Sequence, residues 1–220
     1  MSKIEELFDT TEKPSTKWTG YFDVYERHLS KFVGKAPKIL EIGVLGGGSI
    51  ELWLKYFGEG TQVIGIDIDP RCLAYKYDGD ASIIIGDQSD SDFWDKFLDK
   101  HTDFDVIIDD GSHIIEHQIL TLHKTFTHLK TGGVFICEDT HTSYWPKWNG
   151  GHNKPGTFLD FSKNLTDVLN EQHHIEKYDS EILNSFHNLY SMTFYNSMVV
   201  LEKEKSRPFI IKERGKITIY

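Results

Sequence analysis

Two short runs of branched aliphatic residues end in paired acids: Val106-Ile107-Ile108-Asp109-Asp110-Gly111-Ser112-His113 and Val134-Phe135-Ile136-Cys137-Glu138-Asp139. An apolar run of this composition reads as a strand buried on both faces, and its acidic end as the loop beyond it. In an open parallel sheet, ligands bind in the crevice outside the carboxyl ends of the strands. Four carboxylates and one imidazole brought to that edge repel one another unless a cation joins them. Oxygen donors of this kind suit Mg²⁺, Mn²⁺ or Ca²⁺. Solvated strand ends also carry acids, so one pair alone says little. Two pairs with His113 beside them point to a site.

A second candidate group lies earlier. Glu41-Ile42-Gly43-Val44-Leu45-Gly46-Gly47-Gly48-Ser49 follows a strand-like run, at a turn where close approach of backbone to ligand requires glycine. Asp67 closes the next apolar run about 20 residues on, the place of an acid that hydrogen-bonds a ribose diol. Leu45 stands where G-x-G-x-x-G has its middle glycine, which argues against a pyrophosphate-containing dinucleotide. Glu41 argues the same way, since a carboxylate repels pyrophosphate but attracts the ammonium of an amino acid. Ribose at Asp67 and an ammonium beside the turn describe S-adenosylmethionine.

The elements that must position these residues alternate between two periods. Strands are expected at 38–43, 63–68, 81–85 and 104–108 and in the run ending at Cys137. Helices are expected at 18–32, from near Ser49 as N-cap, around Phe93 to Leu98, at 114–129 with 130–133 as its terminating turn, and at 157–172. The aromatic residues of 18–32, Tyr21 and Tyr25 among them, read as core packing. Residues 1–17 read as a polar, partly ordered leader, so that 1–37 comprises leader and helix. The Trp-, Pro- and Gly-rich stretch 140–156 reads as a long loop of the lid or substrate-binding kind. Residues 189–194 and 198–201 read as a hairpin. The fold class is α/β: a Rossmann-like, doubly wound, mainly parallel sheet with a C-terminal antiparallel hairpin, one domain over 1–220.

Composition narrows the function. A net charge of −10 argues against nucleic acid, because phosphate binding draws on Lys and Arg. Cys72 and Cys137 suggest no disulfide framework, and Cys137 reads as a buried thiol. No signal-peptide core or membrane-spanning apolar run is present, so a cytoplasmic location is expected. His113-Ile114-Ile115-Glu116-His117 matches a zinc-protease pattern, but helical phase turns His117 toward solvent. His117, His123 and His128 are expected at the surface, and His152 in the aromatic loop.

Five strings in order carry a resemblance: Leu40-Glu41-Ile42-Gly43-Val44, Gly65-Ile66-Asp67-Ile68-Asp69-Pro70, Gly86-Asp87-Gln88-Ser89-Asp90, the segment Ile108 to His113, and Glu138-Asp139-Thr140-His141-Thr142-Ser143-Tyr144-Trp145. Over about 38–203 the chain resembles the class I S-adenosylmethionine-dependent methyltransferases, in particular the metal-dependent sugar O-methyltransferases of the macrocin and mycinamicin type. The resemblance implies that Glu41 and the turn with Gly43, Gly46, Gly47 and Ser49 hold the methionine part. It places ribose at Asp67 and the adenine region at Asp87 and Gln88. It puts Mg²⁺ (or Mn²⁺) on Asp110, Glu138 and Asp139, with His113 as general base and Asp110 sharing in catalysis. Asp109 is expected on the cofactor side. The acceptor would be a sugar, glycan or glycosylated small molecule, met by His141, Tyr144 and Trp145, with Trp148 near. Family members carry additional N-terminal sequence, and the reading admits a homo-oligomer. A catechol-like diol is the alternative acceptor, and a nucleoside-binding protein or dehydrogenase the more distant alternative.

Overall fold

The computed structural model describes residues 2–175 and 181–215. Helices α1 (Lys3–Phe8) and α2 (Thr19–Leu29) precede strand β1 (Lys38–Ile42). Then come α3 (Gly48–Phe57), β2 (Gln62–Asp67), β3 (Asp80–Ile85), α4 (Ser91–Leu98), β4 (Phe104–Asp109), α5 (Ile115–Thr125) and β5 (Leu129–Cys137). Short helices α6 (Phe158–Asn164), α7 (Thr166–Leu169) and α8 (Glu181–Ser185) lead to the hairpin β6 (Leu189–Tyr195) and β7 (Met198–Lys203). The strands form one sheet in the order β3-β2-β1-β4-β5-β7-β6. β1 to β5 run parallel, and β7 pairs antiparallel with both β5 and β6. The doubly wound sheet with its terminal hairpin is therefore present, and its order reverses between β1 and β4, where ligands bind in such sheets. Among the described residues no helix is long and apolar enough to cross a membrane.

Strand alternation assigns each side chain a face. Leu40, Ile42, Ile107, Phe135 and Cys137 pack with Trp94, Phe97 and Leu122 on one side of the sheet. Ile39, Val106, Ile108, Val134 and Ile136 pack with Tyr25, Trp53 and Phe57 on the other. Period two puts Glu41 on the face of Ile39. One step beyond the register pair Asp109↔Cys137 come Asp110 and Glu138, on the face of Ile108 and Ile136. Three acids thus converge on the side covered by α2.

Several local expectations are corrected. The leader is ordered: Ser2 caps α1, and Ile4 is fully buried against the α2 and α3 layer. Burying that one side chain is worth roughly 1.5–3 kcal/mol, enough to pin a short helix. Ser49 is buried inside α3 rather than capping it. The cap is Gly47, whose φ of 84° suits glycine and strains serine. Residues 130–133 do not end a helix; α5 stops at Thr125, and 129–133 enter β5, with a register shift in β4 between Phe104 and Val106. The stretch 140–156 holds two 3₁₀ turns, Thr140–Tyr144 and Pro146–Trp148. The expected helix 157–172 is broken at Leu165 into α6 and α7.

Candidate active site

Gly43 (φ 92°) turns the chain away from β1 directly beneath the end of β4. A Cβ there would lie 2.0 Å from the Asp110 carbonyl oxygen, so glycine alone lets the two turns touch. Asp67 Oδ2 accepts the backbone N–H groups of Val44 and Leu45 at 2.8 and 2.9 Å, and Oδ1 accepts that of Asp69 at 2.8 Å. The acid at the end of β2 therefore fixes the Gly-rich turn as well as facing the ligand space. Residues 10–18 form an irregular strap across this turn. Gly48 N–H donates to the Pro14 carbonyl at 3.1 Å, and the Glu51 carboxylate accepts the backbone N–H groups of Glu12 and Lys13. A Cβ on Gly46 would meet the Pro14 carbonyl at 2.3 Å, so this glycine serves the strap.

One cavity of about 900 Å³ runs from Gly43 and Asp67 past Asp87 to Asp110, His113 and Glu138. Gly46, Ser49, Gln88 and Asp139 also line it. Glu41, Gly47 and Asp109 lie behind its wall. Asp109 is corrected most clearly: its Oδ1 accepts from Gln88 Nε2 at 2.8 Å and from Gly111 N–H at 3.3 Å, inside the protein. Its Oδ2 is buried without a partner, and burial pushes the carboxyl up to about 7. Gln88 is likewise committed, with Nε2 also donating to Thr121 Oγ1 at 2.9 Å and Oε1 accepting the Ser112 N–H at 2.9 Å. It positions the Asp109–Ser112 turn rather than offering a free amide to adenine. Asp87 binds the Ser89 hydroxyl and N–H, which lowers its pKa, and holds the rim of the cavity.

At the acid edge, Lys17 reaches in from the strap. Its Nζ donates to Asp110 Oδ2 at 2.6 Å and lies 3.0 and 2.9 Å from the two Glu138 oxygens. The Tyr25 hydroxyl makes a short hydrogen bond to Glu138 Oε1. Tyr21 Oη lies 2.7 Å from Asp139 Oδ1, and Trp18 Nε1 donates to the same oxygen at 3.2 Å. Asp139 and His113 both adopt left-handed backbone, φ 53° and 58°, which turns their side chains back over the edge. His113 Nε2 stands 3.5 Å from Asp139 Oδ2 and 4.0 Å from Asp110 Oδ1. The trio whose ligand atoms converge within 4.8 Å is thus Asp110, His113 and Asp139. The expected trio with Glu138 does not converge in this way, because Lys17 and Tyr25 occupy the Glu138 carboxylate.

The electrostatics are one-sided. Burial disfavours the Lys17 ammonium, but Asp110, Glu138 and Glu41 together hold its pKa above the ordinary value, and it stays charged. Burial also raises Glu41 to about 7, tempered by Lys17 and by the Ser49 and Trp53 side chains beside it. Glu138 is pushed upward by burial and by Asp110. One ammonium among three carboxylates, Glu41 and Glu138 buried and Asp110 at the cavity, leaves the crevice short of positive charge, which a cationic ligand would relieve.

Beside this edge, Trp18, Arg27, His141, Trp145 and Tyr195 line a second groove. The His141 and Trp145 rings are 4.4 Å apart, and Trp18 meets His141 edge-on at 6.3 Å. Tyr144 is exposed and lines neither cavity, and His152 is exposed. His117 departs from the surface expectation: it lines the main cavity and pairs with Ser112 Oγ at 2.8 Å. Glu116 turns away to Asn149, so the protease-like string holds no ligand set. Lys17, Trp18, Tyr21 and Tyr25 are the site residues that sequence reasoning missed. For the two tyrosines a signal existed in their spacing of four along one helix, which puts both hydroxyls on one face.

Comparison with known proteins decides the fold family. No family model matches the chain. The MycE methyltransferase of the mycinamycin pathway, solved with Mg, SAH and mycinamycin VI, superimposes with a TM-score of 0.80 at 28% identity. The match covers 92% of this chain and 54% of that one. The chain has the class I methyltransferase fold and resembles the macrocin and mycinamicin sugar O-methyltransferases. Demethylmacrocin O-methyltransferase of Streptomyces fradiae is 35% identical over 159 residues, 67% of this chain and 39% of that protein. L-olivosyl-oleandolide 3-O-methyltransferase of Streptomyces antibioticus is 35% identical over 218 residues, 91% of this chain. This methyltransferase-fold chain spans 39% of the first of these relatives and 54% of the second.

Proposed function

We propose that the chain is an S-adenosylmethionine-dependent O-methyltransferase acting, with Mg²⁺ or Mn²⁺, on a sugar hydroxyl of a glycan or glycosylated small molecule. One observation carries the reading: the Gly-rich turn with Asp67 and the acid edge with His113 open into a single cavity. A donor held at the first would present its methyl group toward the second. The names of the Streptomyces relatives and the Mg and SAH in the MycE structure support the same donor, ion and acceptor class.

The residues fit a hard divalent cation. Carboxylate oxygens of Asp110 and Asp139 converge with His113, and an ammonium already stands between Asp110 and Glu138 as a stand-in cation. Asp110, Glu138 and Asp139 would hold the ion, which when bound lowers the pKa of an acceptor hydroxyl and orients it. His113 would take the hydroxyl proton, and Asp139 at 3.5 Å would stabilise the resulting imidazolium. The Thr142 hydroxyl donates to the His113 carbonyl at 2.9 Å, fixing the left-handed turn that aims the ring. Methyl transfer is an in-line displacement, so the chain's main contribution is to hold donor and acceptor oxygen on one axis. Residues 43–49 and Asp67 hold the donor, while Trp18, His141 and Trp145 offer ring faces to the sugar.

The test uses labelled S-adenosylmethionine with a panel of glycosides, free sugars and catechols, in Mg²⁺ and in excess chelator. Methyl transfer to glycosides is expected only with the metal, while calorimetric donor binding survives chelation. Transfer to catechols alone would overturn the sugar reading. Full turnover in chelator would overturn the metal reading, and calorimetry showing no donor binding would overturn the whole.

A further inference from the structure

The strap 10–18 touches each of the three carboxylates assigned above to the cation. Lys17 Nζ holds Asp110 Oδ2 and both oxygens of Glu138, and Trp18 Nε1 holds Asp139 Oδ1. The Lys17 side chain is 1% exposed, so its ammonium fills the space between the acids instead of hovering at the rim. A dication on Asp110 Oδ1 and Asp139 would share the Asp110 carboxylate with this ammonium. Like charges on two oxygens of one carboxylate repel, and the burial of Lys17 and Glu138 beside it keeps water from screening that repulsion fully.

From this we infer that Lys17 and the divalent cation compete for Asp110, so that cation binding expels the Lys17 ammonium and lifts the strap from the Gly-rich turn. The inference rests on the metal reading of the preceding subsection. The strap is suited to such a movement. It has no regular structure between α1 and α2, and besides Lys17 and Trp18 it is held by the Pro14 carbonyl, the Glu51 carboxylate, Lys55 on the Thr10 carbonyl and Lys13 over the Tyr77 ring. Its residues Pro14 to Trp18 all line the main cavity, so lifting it widens the space in which donor and acceptor meet. Without the ion, Lys17 balances charge that would otherwise force the acid edge apart. With the ion, Glu138 is released to join the ligand set, which reconciles its buried pairing with the trio expected from sequence.

Two measurements on the whole chain test this. Amide hydrogen exchange at residues 12–18 is followed in the wild type with and without Mg²⁺. Mg²⁺ affinity is measured by titration calorimetry for the wild type, Lys17→Met and Lys17→Gln. Exchange in the strap is expected to rise at least threefold with Mg²⁺, because the Glu12 and Lys13 N–H groups lose Glu51. Removing the ammonium is expected to tighten Mg²⁺ binding at least tenfold. Unchanged exchange together with equal affinities would overturn the competition and leave the metal site standing. Failure of the wild type and both variants to bind Mg²⁺ would overturn the metal reading, and the competition with it. If neither variant folds, exchange in the wild type decides alone.

Discussion

Asp109 and Asp110 are consecutive, yet they belong to different parts of the protein. Asp109, 1% exposed, points into the layer beneath the sheet and is held by Gln88. Asp110, with 22% of its side chain exposed, opens on the cavity and is held by Lys17. Glu138 and Asp139 differ in burial, 1% against 22% exposed, but both line the cavity. The first doubled acid is therefore two residues with two tasks, the second two residues that share one cavity. Alternation separates the members of the first pair, and left-handed backbone at Asp139 turns the second member of the other.

The largest effect should fall on the residue that the cavity-facing acids surround. His113→Ala is expected to lower turnover by roughly 10²–10⁴, with donor affinity and melting temperature nearly unchanged. Turnover close to wild type would remove it from proton transfer. The contrast between the two aspartates is sharpened by paired variants. Asp110→Asn should cost more than about 100-fold in turnover, whereas Asp109→Asn, acting only through the position of its neighbour, should cost about 10-fold. Equal losses would break the comparison. On the cofactor side, Asp67→Ala should weaken donor binding by roughly 1.5–3 kcal/mol in calorimetry, the worth of a charge-assisted hydrogen bond. The loss should be shared by the demethylated donor, because both carry the ribose.

The smallest effect is a pH dependence of stability. Burial raises Glu41 from 4.5 to about 7 in the folded chain. Well below pH 4.5 the group is neutral in both states; as pH climbs from 4.5 to about 7 the unfolded chain gives up its proton first, so the fold loses stability across that window and the loss levels off above 7. Glu41→Gln should therefore match the wild type in melts near pH 4.5 and exceed it above pH 7 by on the order of 1–3 kcal/mol. The same gain at both pH values would assign the effect to packing.

What was legible in the sequence follows from range. The apolar runs of β1, β4 and β5 and the acids that close them show period two and strand-end chemistry within a few residues. The hairpin, with its turn at Asn196 and Ser197, was legible for the same reason. Lys17 was not, because its partners lie 93 and 121 residues away and one lysine in a polar segment carries no pattern. Tyr21 and Tyr25 were half legible: their rings pack in the core as expected, while their hydroxyls reach the acid edge. For Gln88 the string shows a place on the cavity, which it lines, but not the three side-chain hydrogen bonds to Asp109, Ser112 and Thr121 that depend on distant residues. The Gly-rich turn was placed correctly, but Gly46 answers to the strap and Gly43 to the Asp110 carbonyl.

The surplus of carboxylates over ammonium groups around Lys17 has a bearing on product departure. A sulfonium donor enters the crevice with one more positive charge than the thioether it leaves behind. Attraction between opposite charges in a low-dielectric pocket scales with the charge of the guest. With the ion on Asp110 and Glu138, Glu41 is the carboxylate left facing the donor side, and it would hold the spent donor less firmly than the fresh one. Each turnover would weaken the grip at the moment when release is needed, and the charge difference would favour exchange of thioether for sulfonium.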